Sequence, residues 1–177
     1  MKNTFVDIPS GTVEIDEHHH GGKRKLNKEE AKKGIGDTQT VFGLLQRKKN
    51  VRMFHIPKKN ADTIRPLIKQ NIKQGSVIHH DNNTTYGNLK EAGYKPKLVS
   101  NKAGKEFKRG IHNNNIEAQW SRLKRHIFAT YCSVSPKYLQ AYLYEYSFRY
   151  NFGKGKLSKS LPEVIIKIYL NGQHHSA

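Results

Sequence analysis

The feature that most constrains this chain is a helical repeat that runs directly into a short apolar strand. Ile64, Leu67, Ile68 and Ile72 recur at helical spacing and predict a helix over about 62–74, with Pro66 near its first turn or kinking it and Gly75 ending it. Residues 76–81 (SVIHHD) then read as a strand, and a helix that feeds a strand signals an α/β fold with parallel pairing. In 12–16, Val13 and Ile15 alternate with Glu14 and Asp16, so one strand face is apolar and the other acidic. Residues 40–45 and 51–56 read as two more strands joined by a basic turn, and 97–100 as a fifth. The polar, glycine-bearing stretch 17–36 reads as a loop or hairpin, and 86–92 as a short helix closed by Gly93.

The second half of the chain is helical. Ile116, Trp120, Leu123 and Ile127 recur at i, i+4, i+7 and i+11, an amphipathic stripe in which Trp120 reads as core. Asn113, Asn114 and Asn115 stand where a cap for that helix belongs. Ser135-Pro136 supplies an N-cap with proline at the next position, opening a helix that carries Leu139, Tyr142, Leu143, Tyr146 and Tyr150 as core. Capping-box spacing at 160–163 opens a last helix over 164–170.

Charge limits what the chain can bind. It has 177 residues, with 32 Lys+Arg against 14 Asp+Glu, a formal +18. This argues against an ordinary small-metabolite enzyme and for a polyanionic partner, while 35% hydrophobic residues suffice for a packed core. The basic clusters Lys23, Arg24 and Lys25, then Arg47, Lys48 and Lys49, then Lys102, Lys105, Lys108 and Arg109, and finally Arg122 and Arg125, read as phosphate contacts that position such a polyanion without reading its sequence. Cys132 is the single cysteine, which excludes a disulfide framework and a cysteine-based zinc cluster and reads as a packed thiol. No apolar run approaches the ~20 residues that span a bilayer, and the N-terminus lacks a signal-peptide stretch. The expectation is a cytoplasmic, nucleoid-associated protein with no membrane partner.

Three acids stand out against this background. Asp16 lies on a strand, Asp81 ends a strand, and Glu117 sits on the amphipathic helix, with 35 residues between it and Asp81. Carboxylates brought together repel and need arginines or a divalent cation between them, and hard oxygen ligands suit Mg²⁺ or Mn²⁺. The bland alternative is three scattered surface carboxylates. His18, His19, His20, His79 and His80 suggest zinc, but adjacent histidines on a strand point to different sides, so contacts to DNA or behind the acids are the simpler reading.

Segments 13–25 (VEIDEHHHGGKRK), 77–86 (VIHHDNNTTY) and 111–125 (IHNNNIEAQWSRLKR) resemble the ISXO-like insertion-sequence transposases, relatives of the Merlin group, and 134–151 resembles the helix that follows in that family. The resemblance spans about residues 12–152. It departs from the family at His18-His19-His20, where a hydroxyl, an aromatic and an aliphatic residue are common, and in having no cysteines before Asp16. It implies an α/β, ribonuclease-H-like mixed five-stranded sheet flanked by helices, with extra C-terminal helices. The domain would occupy 12–152, between an extension over 1–11 and a C-terminal helix and tail over 153–177. Asp16, Asp81 and Glu117 match the catalytic acids and metal ligands, with two Mg²⁺ or Mn²⁺ ions expected between them. Lys124 matches the lysine seven residues after the glutamate, and that spacing, ~10 Å along a helix, suits a phosphate contact. The implied activity is DNA nicking and strand transfer by a homodimer or higher multimer on element ends and target. The other reading is a truncated, non-catalytic DNA-binding or regulatory fragment. The chain starts 15 residues before Asp16, so recognition of element ends is expected to lie outside it.

Overall fold

The structure, a computed structural model, describes residues 9–21, 38–81, 84–99 and 110–153. Five strands form one mixed sheet: β1 (Thr12–His20), β2 (Gln39–Gln46), β3 (Val51–Ile56), β4 (Val77–His80) and β5 (Lys95–Leu98), in the order β3-β2-β1-β4-β5. The first three are an antiparallel meander, and β4 and β5 run parallel to β1. Helix α1 (Ala61–Asn71) makes the crossover from β3 to β4, and α2 (Asn114–Tyr131) and α3 (Leu139–Phe152) follow the sheet. This is an α/β fold compatible with a ribonuclease-H-like transposase domain.

Alternation along the strands builds two cores. Val13 and Ile15 of β1 and Phe42 and Leu44 of β2 pack with Ile64 and Ile68 of α1 on one face. Val41 and Leu45 of β2 pack with Ile116, Trp120, Leu123 and Ile127 of α2 and Leu139, Leu143 and Tyr146 of α3 on the other. The apolar stripes of α2 and α3 are therefore core, as their spacing predicts. The free edge of β3 is covered by side-chain amides of α3. Asn151 accepts from Val51 N (2.8 Å) and donates to Val51 O (2.9 Å), and Gln140 accepts from His55 N (2.7 Å) and donates to Met53 O (3.1 Å). Each pairs backbone groups that an open edge would expose.

Several boundaries differ from expectation. β1 continues through His20, paired up to His20↔Gln39, so the strand extends into the stretch from residue 17 that reads as a loop or hairpin. The β2 ladder holds these polar residues in a strand that their composition does not suggest. α1 starts on an Asn60 cap, whose side chain accepts from Thr63 N at 3.0 Å, and ends at Asn71 rather than near 74. Ile72 turns extended there, and its carbonyl accepts from Tyr94 Oη at 3.2 Å. The segment expected as a helix over 86–92 is a short 3-10 turn (Thr84–Tyr86) followed by turns, with Tyr86 and Leu89 buried in the core. β5 begins two residues earlier than predicted, and as an edge strand it tolerates Pro96. Ser135 makes no side-chain cap bond, and Pro136 opens a 3-10 turn (Pro136–Tyr138) that leads into α3. Cys132 is exposed at the end of α2 with φ +59, not a packed thiol. Just before it, Tyr131 donates to Glu145 of α3 and so ties α2 to α3, and Glu145 also pairs with Arg149 one turn along its own helix at 2.7 Å. The helix expected over 164–170 lies outside the described residues.

Candidate metal centre

Parallel pairing between β1 and β4 places two acids side by side. The ladder matches Thr12 to Val77, Val13 to Ile78 and Glu14 to His79, and carrying that register two residues further sets Asp81 beside Asp16. The pairing stops at Glu14, so the β1 edge next to Asp16 and Glu17 is open to the chain leaving β4. Asp16, Glu17 and Asp81 each bring a carboxylate oxygen within 4.8 Å of the others. Glu17 was not among the predicted site residues, and its place in the sequence next to Asp16 is the one signal that could have found it.

The three carboxylates are poorly served by donors. Among the described residues, Asp81 Oδ1 and Glu17 Oε1 are buried without a hydrogen-bond partner, and Lys59 Nζ pairs with Glu17 Oε2 at 2.9 Å, the Glu17 side chain being 1% exposed. Asp16 accepts from the Trp120 indole N–H at 2.8 Å, and the backbone N–H of Glu17 also favours its ionised form. Burial pushes its pKa up to about 6, and the nearby Glu17 and Asp81 charges add to that, while the Trp120 bond opposes it. Burial first, and then the Glu17 charge, also hold the Tyr86 phenol protonated. Unpartnered hard oxygens on converging acids fit a hard divalent cation such as Mg²⁺ or Mn²⁺.

This electrostatic load has a measurable sign. The unfolded Asp16 releases its proton near 3.8, whereas the native group keeps it to about 6. Across that window the native state binds more protons than the unfolded chain, so stability without metal falls as pH rises from about 4 to about 6. A cation binds the ionised form. Melting curves in EDTA should therefore decline over this interval, and millimolar Mn²⁺ should raise the melting temperature above pH 6 but not below pH 4. A melting temperature insensitive to both would contradict the assignment.

Helix α2 is docked onto the acidic face of β1, at Glu14, Asp16 and His18. Glu14 is fully buried, and its carboxylate accepts from Ile116 N (3.0 Å), Asn115 Nδ2 (2.6 Å) and Arg47 Nε (2.7 Å). Glu14 thus caps α2 from another strand, where the asparagines were expected to do so. Asn113 holds the N-cap position without a side-chain cap bond, and its Nδ2 donates to Ile15 O at 3.2 Å. Arg47, expected as a phosphate contact, is engaged within the protein: its guanidinium also donates to Gly110 O (2.7 Å) and His112 O (2.9 Å). Lys48 and Lys49 of the same turn are exposed. Neither Glu14 nor Arg47 was singled out for this role in the sequence, because a buried ion pair between residues 33 apart has no local signature.

Glu117 lies in the first turn of α2, exposed, and is not among the acids that meet within 4.8 Å of one another. Lys124, Arg122 and Arg125 are exposed further along that helix. Burial and then the Lys124 charge lower the pKa of His18, to about 4, and of His20, which keeps both rings neutral. Lys124 therefore stands over the far end of β1. His79 turns away toward Arg47 Nη2 at 3.1 Å, and among the described residues no histidine joins a group of three potential metal ligands. Lys23, Arg24, Lys25, Lys102, Lys105, Lys108 and Arg109 lie outside the described residues. No described helix is long and apolar enough to cross a membrane.

Comparison with known proteins agrees with the fold. A family model described as an ISXO2-like transposase domain matches residues 9–151. None of the curated proteins matches the chain. The match covers the whole sheet, the acid cluster and all of α2, with α3 nearly to its end, so the chain belongs to the family of ISXO2-like transposase domains.

Proposed function

We infer that this domain cuts and joins DNA as the metal-dependent catalytic domain of an insertion-sequence transposase. The observation that carries this reading is the convergence of Asp16, Glu17 and Asp81 at the open end of the β1–β4 ladder, with buried oxygens of Asp81 and Glu17 that lack donors among the described residues. Asp16 and Asp81 would hold the cation, with Glu117 as the third acid from α2 and Glu17 as a neighbour the register brings in. Bound there, a pair of Mg²⁺ or Mn²⁺ ions would supply activation of the attacking oxygen and charge stabilisation of the leaving one in phosphoryl transfer. The chain's own part is positioning. Lys124, Arg122 and Arg125 on the exposed side of α2 grip the phosphates beside the acids, and β1 and α2 keep the carboxylates fixed while the strand is presented.

Incubating the purified protein with end-labelled DNA and Mg²⁺ tests the reading. Nicking that EDTA abolishes supports it, and binding without nicking supports the regulatory-fragment alternative. Strand joining separates a transposase from a nuclease on the same fold. Binding itself should be steeply salt-dependent, because each neutralised phosphate releases counterions. Replacing Lys124, Arg122 and Arg125 together by alanine should lower affinity at low salt and reduce the slope of log K against log salt by about 3. An unchanged slope in a filter-binding titration would exclude those three residues from the DNA surface.

A further inference from the structure

Trp120 sits in a seat built around one hydrogen bond. Its indole N–H donates to Asp16 Oδ2 at 2.8 Å, and the side chain is buried at 6% exposure among the apolar residues of α2. Gly43 lies opposite Asp16 in the β1–β2 ladder, under the indole. A Cβ at Gly43 would overlap the ring, 2.7 Å from Trp120 Cζ2, and come within 3.0 Å of Ile116 Cδ1, so this close approach requires glycine. His18, two residues beyond Asp16 on the same strand face, stacks on the indole with ring centroids 5.3 Å apart and planes at 22°. A buried indole N–H needs an acceptor, and the one it takes here is a carboxylate of the acid cluster, which ties the packing of α2 to the orientation of Asp16.

We propose that Trp120 is a positioning residue of the metal centre: its indole N–H fixes the orientation of Asp16 and leaves the rest of that carboxylate free for a cation. A carboxylate has about four acceptor sites, and one N–H uses only one of them. Without the bond, Asp16 can rotate about its side-chain torsions and must be ordered when the cation arrives. Partners behind a ligand commonly tune metal affinity 10–100-fold in this way. The proposal rests on the metal reading of Asp16 and Asp81.

Trp120 is the only tryptophan in the chain, so its fluorescence reports directly on this contact. With the full chain and Mn²⁺ alone as the probe, the paramagnetic ion should quench the emission saturably, and Asp16→Asn should remove the saturable part. Trp120→Phe keeps a ring and removes the donor. Its Mn²⁺ affinity, measured by electron paramagnetic resonance of the free ion, should fall at least about tenfold. Nicking by this variant should need correspondingly more Mn²⁺ and recover at saturating metal, which a loss of packing alone would not produce. Gly43→Ala, which displaces the ring and keeps every polar group, should give the same rise in metal requirement. Wild-type Mn²⁺ affinity in a folded Trp120→Phe protein would overturn the proposal, as would emission that ignores bound Mn²⁺ in the unmodified chain. If Asp16→Asn and Asp81→Asn both bind Mn²⁺ as tightly as wild type, the metal reading itself fails and the proposal falls with it.

Discussion

Asp81→Ala is expected to lower Mg²⁺-dependent nicking by at least about 10³-fold, equivalent to about 4 kcal/mol of barrier, with little change in fold or DNA binding. Asp81 projects from the end of β4, where it supports no ladder bond and its Oδ1 has no donor, so its removal costs the scaffold little. Asp16→Asn should be equally inactive and should also raise the melting temperature in EDTA above pH 6. The amide can still accept the Trp120 bond, while the buried charge that repels Glu17 and Asp81 is gone. Lost activity together with gained stability is the signature of a functional site held under electrostatic strain. Parallel measurements on Glu17→Gln and Glu117→Gln then decide which glutamate completes the site. Undiminished cutting by either aspartate variant would remove the catalytic reading.

Glu14→Ala is expected to destabilise the domain by about 3–5 kcal/mol, read as a lower urea midpoint at unchanged slope. The carboxylate is fully buried and accepts three bonds, and its loss strands the partly buried Arg47 guanidinium and unties the first turn of α2. A net stability of 5–15 kcal/mol is typical of a domain, so this change alone brings it close to unfolding at ordinary temperature. Replacing Arg47 by methionine in the same chain should recover part of the loss, because no unpaired buried charge then remains. Destabilisation below about 1 kcal/mol would show that the β1–α2 contact is held by packing alone.

Regular apolar spacing made much of the fold legible. The alternation in β1, the β2 and β3 runs, the strand before Asp81 and the stripe from Ile116 to Ile127 each match a structural element, because burial on one face imposes period 2 on a strand and period 3.6 on a helix. Legibility failed where partners far along the chain decide the outcome. Residues 17–20 have a polar composition and are a strand because β2 pairs with them. Asn113 has the side chain of a cap, yet the cap on α2 comes from Glu14, 102 residues before Ile116. Arg47 looks like one more surface cation and is held by Glu14 and two backbone carbonyls.

The sequence by itself determined the class of the domain, its excess of positive charge and the candidates Asp16 and Asp81, since these depend on composition, periodicity and local motif. Which acids meet was decided only by the tertiary structure. The β1–β4 register sets Asp81 beside Asp16, the early end of that ladder brings in Glu17, and Glu117 stands on the exposed side of α2. The environment of Asp16 was also decided there: burial raises its pKa, and an indole seated over Gly43 donates to it. The physical reason is that desolvation and hydrogen bonding depend on distances of a few ångströms, and those distances are set by strand register and helix docking between segments up to about a hundred residues apart in the chain.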